Sequence, residues 1–259
     1  IACCLVAVSE FLKENKNHNG TISFLLTTDE EGDGTHGLKE MLEYIKDIEP
    51  KIDFCILGEP TTEHEVGDTI KIGRRGSINF DLTVNGKQGH VAYPEKAINP
   101  MPIVISALKG LIETEFDSGS EFFQKSNLEI TSIEGQNPVR NVIPFSVSAK
   151  FNIRFIDKHT PSDLAAKVAH VISQYSDDYE LKYSCTSLPF VQEYSKEIER
   201  FADIVYDTCG IRPKIKTNGG TSSLHCVGRL VGRIPCMHCF CRGRPSKSLR
   251  QRSLFGWSC

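Results

Sequence analysis

The sequence predicts an α/β domain interrupted by an inserted α+β domain. Three observations carry that expectation. Amphipathic helices alternate with short apolar runs over the first 57 residues, a two-residue apolar/polar alternation takes over near residue 69, and the helix-then-strand style returns after residue 189. Helices alternating with wholly apolar strands imply a parallel sheet covered on both faces. A strict two-residue period implies an antiparallel sheet with one open face.

Residues 1–12 place Leu5, Val8 and Leu12 at helical spacing, and His18-Asn19-Gly20 breaks the helix before a buried strand, Thr21 to Thr28. A second amphipathic helix is expected from about Gly37 to Ile48, with Leu38, Met41, Leu42 and Ile45 on one face, followed by a strand from Asp53 to Leu57. Ile78, Phe80, Leu82 and Val84 then alternate with polar residues up to an Asn85-Gly86 turn. The inserted domain continues with a helix from Met101 to Phe116, strands Leu128–Ile133 and Val147–Phe155, a helix from Ser162 to Tyr175 and a strand Tyr179–Cys185. A helix from Lys196 to Thr208 and a strand Pro213–Lys216 complete the outer domain. The expected boundaries are 1–75, 76–188 and 189–225 for the first part, the insertion and the return.

Residues 226–259 break the pattern, with five Cys, six Arg, the only Trp and no acid. Thiolate and imidazole from Cys236 to Cys241 would suit a tetrahedral ion, but no second half-site of matching spacing accompanies them. The expectation is an aberrant, non-native tail.

The formal charge of -3 and pI near 6.3 provide no field that gathers nucleic acid or anionic lipid, so a small-molecule ligand is expected. The apolar runs are shorter than the roughly 20 residues a membrane span needs. The first 225 residues hold five scattered cysteines, Cys3, Cys4, Cys55, Cys185 and Cys209, mostly inside apolar runs, which fits a reducing cytoplasm.

The run Ile22 to Thr28 leads into Asp29-Glu30-Glu31-Gly32, placing three carboxylates where a buried strand would end. That edge is where open α/β sheets bind ligands. Glu59 in Leu57-Gly58-Glu59-Pro60 closes the next expected strand. Two acidic strand ends on one rim favour a hard or borderline cation, with a solvated acidic turn as the alternative.

Further segments carry a resemblance. Thr27-Thr28-Asp29-Glu30-Glu31-Gly32, Gly58-Glu59-Pro60-Thr61, Arg74-Arg75-Gly76-Ser77, Gly86-Lys87-Gln88-Gly89-His90, Asn141-Val142-Ile143-Pro144, Asn152-Ile153-Arg154-Phe155 and Gly219-Gly220-Thr221-Ser222 stand in collinear order. Over residues 1 to about 222 the chain resembles the co-catalytic zinc peptidase family, which includes aminoacylase, acetylornithine deacetylase and carboxypeptidase G. The resemblance implies a zinc-peptidase-like catalytic domain with an inserted dimerisation domain. It also implies hydrolysis of an N-succinyl or other N-acyl amino acid, two zinc ions per subunit with cobalt as a substitute, and a homodimer through residues 76–188.

By that resemblance Glu30 is the general base, Glu31 and Glu59 each ligate one zinc, and Asp29 packs behind them. His90 reaches from the partner subunit to steady the oxyanion. Arg74, Tyr93, Asn141, Arg154, Gly220 and Thr221 line the substrate pocket. Read from the residues alone, His90 is a structural histidine, Asn141 a turn residue, and the arginines solvated charge. Alternation along Val147 to Phe155 nevertheless sends Arg154 to the open face of its sheet with Lys150 and Asn152.

The family pattern also has a His ligand and a bridging Asp that would precede Ile1. It continues Asp-Ala-Arg where Ser223-Leu224-His225 stands here. His225 and His238 are the downstream candidates for the last His ligand, and neither has the family's context. A chain with these ligands missing is expected to hold two zinc ions poorly and to be inactive as a fragment. A non-catalytic dimerising remnant is the alternative.

Overall fold

A computed structural model describes residues 1–26, 38–45, 52–58, 61–135, 137, 139–217 and 236–238. In chain order the elements are α1 (Ala2–Glu14), α2 (Leu38–Ile45), β1 (Cys55–Leu57), β2 (Thr69–Lys71), β3 (Gly73–Arg74), β4 (Gly76–Asn85), β5 (Gly89–His90), a short 3-10 helix (Pro94–Lys96), α3 (Pro100–Glu113), β6 (Asn127–Glu134), β7 (Val142–Ile143), β8 (Ser146–Phe155), α4 (Pro161–Ser173), β9 (Tyr179–Ser187), β10 (Phe190–Val191), α5 (Lys196–Cys209), β11 (Lys214–Lys216) and β12 (Cys236–His238). They divide into two compact units, Ile1–Arg74 with Val191–Cys259, and Arg75–Phe190.

In the Arg75–Phe190 unit the strands lie in the order β6-β8-β4-β9, every pair antiparallel. The two-residue period sends Ile78, Phe80, Leu82 and Val84 of β4 and Val147, Ala149, Phe151, Ile153 and Phe155 of β8 to one face, which is fully buried. Helices α3 and α4 cover it with Val104, Leu108 and Leu111 and with Leu164, Val168 and Ile172. Taking each large side chain out of water stabilises the unit by about 1.5–3 kcal/mol. Phe80 and Phe151 stack with ring centres 5.1 Å apart.

The helix starts follow from capping. The Asn99 side chain accepts the Met101 N–H ahead of α3, and Thr160 and Asp163 form a reciprocal capping box at α4. Helix α3 stops at Glu113, short of the expected Phe116, because Thr114 turns extended and donates its hydroxyl to the Gly110 carbonyl. The chain beyond wraps Asp117, whose carboxylate accepts the N–H groups of Gly119 (2.8 Å) and Ser126 (3.1 Å) and lies 3.0 Å from His159 Nε2. The other sheet face is polar: Thr83 meets Ser148, and the Asn152 amide donates to Ser77 Oγ and Asn79 Oδ1.

In the other unit, β1 and β12 pair in parallel, as do β2 and β11, while β12 meets β2 antiparallel. The sheet order is β1-β12-β2-β11, so the sheet is mixed rather than wholly parallel. Strand β12 supplies the reversed pairing, and it lies in a stretch to which hydrophobic periodicity assigns no element. Ile70 and Ile72 pack against Ile198, Ala202 and Val205 of α5. That helix begins on the Ser195 hydroxyl and ends at Gly210, whose φ of 74° suits glycine.

One expectation differs here. Residues 21–26 form no strand, and Ile22, Phe24 and Leu26 are exposed, while Thr27 and Thr28 lie outside the described residues. An apolar run becomes a strand only when a neighbour takes up its N–H and C=O groups, and no described strand flanks this one. Helix α1 forms as expected but buries none of its residues.

The loop after β1 is tied by Asp68, whose carboxylate accepts N–H groups from Glu63 (3.1 Å), His64 (2.7 Å) and Glu65 (3.0 Å). Burial pushes this carboxyl upward, but the three donors outweigh it and hold its pKa at about 2.

Candidate functional site

Gly89 and His90 form β5, which pairs with β7 so that His90 stands opposite Val142. Glycine is needed at 89 because a Cβ there would lie 2.7 Å from that of Ala97. Beyond His90 the chain turns. The Tyr93 N–H donates to the His90 carbonyl at 2.9 Å, and the Val91 N–H donates to the Asn141 carbonyl at 3.0 Å. Asn137 braces the turn by donating to the Val142 carbonyl and accepting the Val139 N–H. His90, Tyr93 and Asn141 therefore share one exposed loop cluster.

The Ala92 N–H donates to His90 Nδ1 at 3.1 Å. With that lone pair engaged, the single proton of a neutral imidazole sits on Nε2, and the exposed ring presents an N–H donor outward. The Tyr93 ring centre lies 5.9 Å from the imidazole, and the Lys96 ammonium lies 5.0 Å from the Tyr93 ring centre. That cation–π contact holds the phenol side beside the histidine.

Arg154 stands on the polar face of β8, half-buried, as the alternation predicts. Ser77 and Asn127 flank it in register on the neighbouring strands. Among the described residues its guanidinium makes no hydrogen bond or ion pair. Arg75, read from sequence as surface charge, is instead half-buried and donates to Asn127 Oδ1 (2.7 Å) and the Lys125 carbonyl (3.1 Å). Burial and then the nearby Arg154 charge press its pKa below the usual guanidinium value, with Asp117 acting in the opposite sense. The Arg-Arg doublet was the visible signal of this pairing, but which arginine is buried depends on strand register. Arg74 lies in the other unit, in β3, and is buried.

Glu30, Glu31, Glu59, Gly220 and Thr221 lie outside the described residues, as does His225. Of the Cys236–Cys241 cluster only the β12 residues are described. Among the described residues no three His, Cys, Asp or Glu side chains converge on a point that would hold a metal ion. No described helix is long and apolar enough to cross a membrane.

Residues 72–180 match the peptidase dimerisation domain of the M20 group. The chain is 51% identical over 231 residues to the succinyl-diaminopimelate desuccinylase of Rickettsia bellii, a match covering 88% of this chain and 59% of that protein. Over that span the chain is similar to the succinyl-diaminopimelate desuccinylases, and it covers about three fifths of their length. The corresponding enzyme of Rickettsia rickettsii is 52% identical over 231 residues, and this chain spans 61% of its length. A putative aminohydrolase from methicillin-resistant Staphylococcus aureus shares the fold of this chain, with a TM-score of 0.70 at 16% identity over 92% of this chain and 62% of that one. An M20 family metallo-carboxypeptidase from Sulfolobus solfataricus does so with a TM-score of 0.65 at 13% identity over 80% and 68%. The expected α/β fold with an inserted α+β domain is thus the fold that this chain shares with M20 metallopeptidases.

Proposed function

We propose that the protein hydrolyses the amide of N-succinyl-LL-2,6-diaminopimelate to succinate and LL-2,6-diaminopimelate, in diaminopimelate and lysine biosynthesis in the cytoplasm. The observation that carries this reading is the similarity to desuccinylases over 88% of the chain. The outward Nε2 donor of His90, set by the Ala92 N–H, supports it. Described cysteines in no disulfide suit the reducing compartment.

Carboxylate oxygens suit a borderline dication, so Glu31 and Glu59 would each hold one of two zinc ions, or cobalt in their place, which would supply Lewis-acid polarisation of the amide carbonyl. Glu30 would take a proton from the attacking water on its carboxylate oxygen. His90 would donate from Nε2 to the oxygen that gains charge as the carbonyl carbon turns tetrahedral, a role worth about 2.7–4 kcal/mol for a well-placed donor. Arg154 would bind a substrate carboxylate bidentately. Arg74, Tyr93, Asn141, Gly220 and Thr221 would line the remainder of the pocket.

A second copy of the chain is the expected partner. Helix α3 exposes Ile105 and Ile112, two turns apart on one face, and β6 leaves a free sheet edge beside it among the described strands. Such an apolar stripe next to an unpaired edge suits self-association.

The test compares hydrolysis of N-succinyl-diaminopimelate with that of N-acetylated amino acids by the full-length protein, before and after chelation. Zinc-restored activity on the succinylated compound is the expected result. Preference for the acetylated compounds, or activity indifferent to chelator, refutes the reading.

A further inference from the structure

At the sheet end remote from the Asn85-Gly86 turn, four residues stand in register across all four strands: Ser187 on β9, Ser77 on β4, Arg154 on β8 and Asn127 on β6. Directly opposed residues of an antiparallel ladder have Cβ atoms about 4.5–5.5 Å apart, which holds from Ser77 through Arg154 to Asn127, and Ser187 joins the row across the bulge beside Ser77. Arg75 grips Asn127 Oδ1, which sets its charge beside that of Arg154. No described carboxylate pairs with Arg154, and the two guanidiniums repel, a repulsion that Asp117 offsets only in part at Arg75. An anion between them would remove the repulsion and occupy the open donors of Arg154.

The row's other end is equally unfinished. Ser187 is 5% exposed, and its hydroxyl has no hydrogen-bond partner among the described residues. Ser77 between them is satisfied, accepting from the Asn152 amide at 3.0 Å. A buried hydroxyl without a partner is costly and marks a place where an outside group completes the hydrogen bonding.

We propose that Arg75 and Ser187 belong with Arg154 to one carboxylate-binding row, Arg75 as a positioning residue that fixes a second positive charge beside Arg154 and Ser187 as a hydroxyl donor. The ligand class is an acyl chain ending in a carboxylate, which separates succinyl from acetyl substrates. The assignment rests on reading Arg154 as a substrate-binding residue.

The test titrates succinate and acetate onto the full-length protein by calorimetry at low and high salt, for the unaltered chain and for Arg75→Gln, Arg75→Lys and Ser187→Ala. It also measures KM and kcat for the succinylated substrate. Arg75→Gln is expected to weaken succinate and raise KM about tenfold, the order of losing one nearby positive charge at a part-buried site, with kcat within about twofold and a flatter salt dependence. Arg75→Lys keeps the charge and recovers most of the binding, and Ser187→Ala weakens succinate by about threefold. Acetate binding stays weak throughout.

Succinate binding unchanged in Arg75→Gln, loss confined to kcat, or Arg75→Lys as weak as Arg75→Gln would each overturn the assignment. Binding that responds as stated without hydrolysis sinks the desuccinylase reading alone. Hydrolysis with succinate binding indifferent to both positions sinks the row alone.

Discussion

His90 illustrates how much chemistry one backbone bond sets. The Ala92 N–H holds the ring by Nδ1, so His90→Ala removes a donor already aimed outward. On the proposed desuccinylase activity, this substitution is expected to lower kcat by about 100- to 1,000-fold with KM within a few fold, measured on the succinylated substrate. An equal loss in KM would mark uniform binding instead.

Asp117 belongs to the same scale. Burial pushes its carboxyl up, but the hydroxyl and N–H of Ser126, the Gly119 N–H and His159 outweigh it, so the folded pKa is lowered. A lowered carboxyl pKa stabilises the fold above the unfolded value, near pH 4, and that contribution disappears as pH falls further. Asp117→Ala is expected to cost about 2–4 kcal/mol at pH 7 in urea melts, since it strands buried donors, with the gap to the unaltered chain narrowing below pH 4. None of this network was legible in the sequence. Asp117 and His159 are 42 positions apart, and only the fold makes them neighbours. Arg154 was legible because a two-residue period fixes its face, whereas the burial of Arg75 depends on a contact 52 positions away.

Among the elements, β4 and β8 were the most readable, because one buried and one polar face print the alternation directly on the sequence. The glycine of Arg-Arg-Gly-Ser shows the physical constraint behind a motif. A Cβ at Gly76 would sit 2.5 Å from the Phe155 ring. Gly76→Ala is expected to destabilise the protein by about 1–3 kcal/mol, and adding Phe155→Leu is expected to recover part of that loss in a double-mutant cycle of thermal melts. Additive losses would show that the ring is not the obstacle. The short strands β5 and β7, two residues each, were unreadable because a single period gives no alternation that repeats. The apolar run from Thr21 misled for the converse reason: composition reports the tendency to be buried, not whether a neighbouring strand is present to pair with it.

At the scale of the whole molecule, the exposed α3 face carries the prediction of assembly. Ile105→Asp with Ile112→Asp is expected to turn a dimer of the full-length protein into a monomer by sedimentation, with the melting temperature of the Arg75–Phe190 unit little changed because both side chains already face solvent. A dimer that survives both charges places the interface elsewhere. The α/β class and the presence of an insertion were legible from changes in periodicity, while the mixed direction of the outer sheet was not, since β12 comes from a stretch without period. The unit's two ends also meet in one place: Ser77, just after its first residue, pairs with Ser187, three residues before its last. Adjacent strands lie about 5 Å apart, so cutting the module out leaves a gap that a few residues can bridge at small entropic cost. Such a module behaves as a graftable cassette, and recombination can exchange or delete it without re-threading the host chain.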